Sequence, residues 1–217
     1  MALSHFLDVF CEISAYSAGI PIILSFFYFK RYNRTIRFLF YYLYISAIFD
    51  LISILLAEYK LNNILFAHLD TLSQIVFLGV FYYYSLKIQL IRKSVILITI
   101  CLALFTIING IFIQGFDHFN SYSRTAGNIF LIFPPLFYFY EVFIQDKIVR
   151  IEKEPMFWIS VGTLIYYTGT LFVFILYMNH NFGVSEEISN QIWVVNSVLN
   201  ILQNMLFGIA ILCLKKI

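Results

Sequence analysis

Seven apolar runs, each roughly 20 residues long and set apart by short polar breaks, leave this chain few ways to fold. They lie at about 10–29, 38–59, 64–86, 95–114, 126–145, 156–178 and 191–214. Such a run is long enough to cross a bilayer as an α-helix, and in lipid only a helix or a closed barrel satisfies its own backbone. With 61% of residues hydrophobic and 12% charged, a soluble fold would lack polar cover for its surface. The expectation is all-α: one polytopic membrane domain over 1–217, a bundle of seven transmembrane helices. No stretch outside the runs is long enough to bury a core of its own.

Charge placement orients the bundle. Lys30, Arg31, Arg34 and Arg37 follow the first run, Lys87, Arg92 and Lys93 the third, Lys147, Arg150 and Lys153 the fifth, Lys215 and Lys216 the seventh. Twelve of the fourteen basic residues thus fall on one side, with only Lys60 and Arg124 on the other. The positive-inside rule makes the rich side cytoplasmic, which puts the N-terminus outside and the C-terminus in the cytoplasm. Met1–Ser14 has no basic leader and carries Asp8 and Glu12, so the first run reads as a retained helix. Cys11, Cys101 and Cys213 fall on three different runs with no CxxC spacing and read as packing residues. Tyr82–Tyr84, Trp158 and Trp193, near run ends, read as an interfacial aromatic belt.

Polar groups at membrane depth carry the functional information, because each must be satisfied there or cost free energy. Counting ~1.5 Å per residue from the basic ends, Asp50, Gln74, Asn109, Thr170 and Asn200 fall in one layer of the outer half. In the seventh run "NSVLNILQN" sets Asn196, Asn200, Gln203 and Asn204 along one helical stripe. The sixth run answers with Ser160, Thr163, Tyr167 and Thr170, spacings that equally serve interhelical packing. If the second and seventh helices adjoin, the amides of Asn196 and Asn200 are the natural partners of Asp50. Pro134–Pro135 in the fifth run and Pro21 in the first are expected to kink their helices.

The third run opens with "FAHLDTLSQ", in which His68, Thr71 and Gln74 share one helical face while Asp70 points away from His68. His68 and Asp70 are expected at the external water boundary, with Gln74 about a turn and a half deeper. All four histidines, His5, His68, His118 and His180, map to the external side, a weak inventory for a metal site. Arg124 is the lone external arginine and is expected to pair with Asp117, Glu186 or Glu187, or to receive an anionic ligand.

Absences narrow the chemistry. No lysine lies at mid-depth for a retinal Schiff base, the last run has no histidine such as a seven-helix zinc hydrolase would need, and no glycine-rich phosphate loop occurs. No cofactor is expected. The stretches "FAHLDTLSQIVFLGVFYYYSL", "NSYSRTAGNIFLIF", "PMFWISVGTLIYYTGTLFVF" and "WVVNSVLNILQNMLFGIAI" resemble small seven-helix membrane proteins of Bacteroidota. That resemblance implies a stand-alone multi-pass protein of the bacterial inner membrane and brings no activity with it. In that pattern an acidic residue is usual near the position of Gln74, and the amide here argues against a proton-coupled role for that position.

The functional expectation is an integral membrane protein with an outward-facing polar pocket, a sensor or receptor-like module acting through a protein partner. Its ligand-binding residues would be Asp50, His68, Thr71, Gln74, Arg124, Asn196, Asn200 and Asn204. Beyond the lipid bilayer it would meet a small-molecule or lipid ligand and no nucleic acid. Two alternatives are a small transporter or channel working at Asp50 and the seventh-helix amides, and an intramembrane metal-dependent hydrolase built on the external histidines.

Overall fold

The computed structural model describes residues 13–28, 34–145, 150–180 and 186–214. Those residues form helices and connecting turns without a strand. Seven α-helices follow one another: α1 (Gly19–Tyr28), α2 (Arg34–Glu58), α3 (Ile64–Ser85), α4 (Gln89–Ile108), α5 (Ser121–Gln145), α6 (Pro155–His180) and α7 (Glu186–Cys213). Six of them, α2 to α7, are long and apolar enough to cross a membrane. The first apolar helix is shorter among the described residues, covering Ile13–Tyr28 with a turn at Ala18.

Most helices begin earlier than their apolar runs. The second starts at Arg34, the fourth at Gln89, the fifth at Ser121 and the seventh at Glu186. Arg34, Arg37, Arg92, Lys93 and Arg124 are therefore helical residues and not loop residues. A helix already formed in the apolar run extends at little cost through polar residues at its end, since each added residue makes one more backbone hydrogen bond.

Cα positions cluster into two compact units: one joins Met1–Tyr28 to Val149–Ile217, the other is Phe29–Ile148. In the second unit α3 is the hub, packed against α2, α4 and α5. Half of its spanning window, 50%, is buried inside the protein, against 22% for α2 and for α4. A helix enclosed by three others can carry polar side chains without turning them to lipid. Phe81 and Tyr82 are fully buried on α3, so Tyr82 belongs to the core and not to an interfacial belt. Tyr84 is exposed and stacks on Phe38 of α2, ring centroids 5.4 Å apart. Gly79 of α3 lies where an added Cβ would collide with the Thr99 side chain of α4, so a missing side chain permits this approach.

In the other unit α7 packs against α6 and α1. The Ser160, Thr163, Tyr167 and Thr170 stripe is buried, with Thr163 and Thr170 donating to the carbonyls of Ile159 and Tyr167 on their own helix. Gly169, on the same helix, abuts Leu199 of α7. Trp158 donates through Nε1 to the Glu152 carbonyl, 2.8 Å away, and fastens the start of α6 to the preceding 3₁₀ turn, Ile151–Lys153. The Trp193 side chain lies outside the described residues.

The prolines behave differently from one another. Pro21 lies three residues after the turn at Ala18 that interrupts the first apolar helix, Ile13–Tyr28, an interruption in keeping with the backbone donor that proline lacks. Helix α5 runs continuously through Pro134 and Pro135. The irregular backbone lies instead at the end of α4, where Asn109–Ile113 forms a π-helical turn closed by the Gln114 N–H donating to the Asn109 carbonyl at 2.9 Å.

Candidate functional site

The polar opening of α3 is the centre of the site, built from Asp70 outward. Asp70 is buried, with 9% of its surface exposed, and is enclosed by neighbouring helices. Its Oδ2 accepts a hydrogen bond of 2.7 Å from Gln74 Nε2, one turn along the same helix. Its Oδ1 accepts one of 3.0 Å from Ser46 of α2. Arg124, in the first turn of α5, brings a guanidinium nitrogen to 3.9 Å from Oδ2. Three helices therefore meet through one carboxylate. Arg124 does not reach Asp117 as expected; Asp117 is exposed in the connection before α5, and the side chains of Glu186 and Glu187 lie outside the described residues. The guanidinium also stands 5.9 Å from the centroid of the Phe119 ring.

Asp50 lies one helical turn beyond Ser46 on α2 and within electrostatic reach of both Asp70 and Arg124. Unlike Asp70 it is exposed. Its electrostatic neighbours are thus on α3 and α5. Two carboxyl groups and one guanidinium form a charged group at one end of this unit.

His68 and Thr71 turn to another set of partners. His68 is 2% exposed; its Nε2 lies 3.0 Å from the His118 carbonyl oxygen, which can only accept, so Nε2 carries the proton. Its ring meets Phe116 edge-on at 5.2 Å. Thr71 donates to the Ala67 carbonyl at 2.9 Å and accepts from Asn120 Nδ2 at 2.8 Å, and Asn120 also reaches the Ala67 carbonyl. Gln74, grouped with His68 and Thr71 by helical spacing, joins Asp70 instead, because its long side chain folds back along the helix toward the N-terminal turn. The connection to α5 is fixed by a second chain of amides: Asn109 donates to Gln114, which donates to Ser121.

Among the described residues, several buried polar atoms in and beside this network have no hydrogen-bond partner, His68 Nδ1, Asn120 Oδ1 and Ser123 Oγ among them. They come from neighbouring positions, since Asn120 is bonded to Thr71 one turn after His68, and Ser123 follows three residues later. Buried groups of this kind are rare unless water, an ion or a ligand completes them.

The α7 amides form a separate network. Asn200 Nδ2 donates to Ser14 Oγ at 3.0 Å and Asn204 Nδ2 to Ser17 Oγ at 2.8 Å, stapling α7 to the helical residues that precede α1. Asn204 also approaches Asn200 Oδ1 at 3.4 Å. Asn196 is half-buried, with no partner for its Oδ1. The layer of polar residues read from depth therefore resolves into two local networks, one in each unit. Ser14 and Ser17, three apart in "ISAYSAG", are the residues that sequence reasoning passed over.

Among the described residues no three His, Cys, Asp or Glu side chains come together as a metal site requires. His68 spends one nitrogen on a carbonyl, His118 is exposed, and the side chains of His5 and His180 lie outside the described residues.

One further buried carboxylate was not signalled by the sequence. Glu141 of α5, 3% exposed, accepts the backbone N–H of Lys87 with both oxygens at 2.9 Å and that of Ile88 at 2.7 Å. It caps the turn between α3 and α4, where a negative charge opposes the positive end of a helix dipole. Comparison with protein families, with curated proteins and with solved structures returns no match.

Proposed function

We propose that this chain is a receptor-like binding module of a bacterial inner membrane, taking a small polar ligand at the Asp70 network and passing the change to a protein partner. The observation that carries the reading is the bridge of α2, α3 and α5 through Asp70, with Arg124 held at 3.9 Å. That separation is about 1 Å longer than a charge-assisted hydrogen bond, so a competing group can enter without first breaking a closed pair. Asp50, an exposed residue of α2 within electrostatic reach of this pair, gives such a group a point of entry. Two carboxyl groups against one guanidinium favour a ligand with a cationic or strongly hydrogen-bond-donating group. The unpartnered atoms of His68, Asn120 and Ser123 supply further contacts.

Ligand entry would change the coupling between α5 and α3, which is the kind of differential contact that a switch requires. The N-out, C-in orientation belongs to the same proposal and rests on the basic residues, as does the seventh span on the first apolar run. The transporter alternative draws less support, because Asn200 and Asn204 give their donors to Ser14 and Ser17.

Native mass spectrometry of protein released from native-lipid discs tests the proposal. A retained non-lipid mass is expected on the wild type and on Asp117→Asn, and is expected to be lost from Asp70→Asn. An adduct that survives Asp70→Asn unchanged, or a wild type that carries none, would refute it.

A further inference from the structure

The other end of the α3–α4 hairpin carries a cleft of about 330 Å³ lined by Tyr83, Lys87, Gln89, Arg92 and Lys93. Three of its five lining residues are cationic and the other two can donate hydrogen bonds. Arg92 is positioned before any ligand arrives: its Nε donates to the Tyr83 carbonyl at 2.9 Å, and its guanidinium carbon stands 4.9 Å from the centroid of the Tyr83 ring. This fixes the plane of the guanidinium, the condition under which arginine grips a phosphate through two parallel bonds. Neither Arg92 nor Lys93 has a carboxylate partner among the described residues.

Among the described residues, the carboxylate beside the cleft is already engaged. The Glu141 carboxylate occupies the N–H groups of Lys87 and Ile88, so the backbone of this helix start is not what an incoming anion would meet. The cleft acts through side chains. It lies where two membrane-spanning helices meet, Ile64–Ser85 ending and Gln89–Ile113 beginning, and therefore at the level of lipid headgroups. Basic pockets of this kind, at the end of the spans that gathers positive charge, match the phosphate of an anionic lipid.

We propose that the cleft bounded by Tyr83, Lys87, Gln89, Arg92 and Lys93 binds a phosphate-bearing anion, with Arg92 as the oriented contact. The phosphate comes either from a lipid headgroup or from a soluble phosphate. This site stands apart from the Asp70 network and does not depend on it.

The test uses full-length protein in discs of equal parts phosphatidylglycerol and phosphatidylcholine, extracted into an uncharged detergent, washed, and assayed for retained lipid. A parallel arm follows the phosphorus resonance of inorganic phosphate titrated into the same detergent-solubilised protein. Wild type is expected to retain phosphatidylglycerol over phosphatidylcholine, or to broaden the phosphate resonance. The first result assigns a lipid headgroup and the second a soluble anion. Arg92→Gln and Lys93→Gln are each expected to weaken the binding about fivefold. Lys93 is exposed and makes no hydrogen bond or ion pair among the described residues, so its loss does not endanger folding, and Lys60→Gln, at the far end of the second unit, is expected to change nothing. Equal retention by wild type, Arg92→Gln and Lys93→Gln, or an equal loss from Lys60→Gln, overturns the proposal.

Discussion

Asp70 holds three helices with two oxygens, and its removal leaves Ser46, Gln74 and Arg124 facing an empty position. Removing this carboxylate from a part-buried cation and two donors costs about 3 kcal/mol. Asp70→Ala is therefore expected to lower the unfolding free energy in detergent by that order, while exposed Asp117→Ala changes it by less than about 0.5 kcal/mol. Denaturant titration followed by circular dichroism distinguishes them. At this scale the sequence was only partly legible. Helical spacing put Thr71 with His68 and separated His68 from Asp70, and both hold. Spacing alone could not tell that Gln74 would fold back onto Asp70, nor that Asp70 would be enclosed, because burial depends on how many helices surround α3. Among the described residues Arg124 reaches Asp70 on a neighbouring helix and not exposed Asp117, a contact that a charge inventory alone does not single out.

Helices were the most legible level. Runs of lipid-spanning length anticipated the six long apolar helices and their order, and the ends were missed where polar first turns extend past the apolar window, as at Gln89 and Glu186. The π-helical turn at Asn109–Ile113 left no sequence signal, since its extra residue is accommodated by the amides of Asn109 and Gln114. Two helix contacts give predictions. Gly79→Ala would press a methyl group into Thr99 and is expected to cost about 1–3 kcal/mol, read as a lowered unfolding midpoint; an unchanged midpoint would mean that α3 and α4 do not approach this closely. Glu141→Gln replaces one acceptor oxygen by a donor facing backbone N–H groups. Hydrogen exchange at the Lys87 and Ile88 amides is expected to quicken by about tenfold or more.

At the level of the whole molecule, six helices of spanning length and composition make this a multi-pass membrane architecture. The proposed orientation rests on charge, and it is tested by single cysteines in a cysteine-free background. Lys93→Cys is expected to resist a membrane-impermeant maleimide added outside, and Asp117→Cys to react; the reverse pattern would invert the topology. The two compact units carry different polar networks: amides and serines in one, charged groups in the other. That contrast locates the proposed binding function in the unit built around α3. The most direct test is experimental density for the protein purified in its own lipid. Density belonging to no protein atom, in contact with Asp70, Arg124 and at least one of His68, Asn120 and Ser123, is the predicted result. A network in which Arg124 closes onto Asp70 at hydrogen-bonding distance, with nothing else held there, would contradict the account.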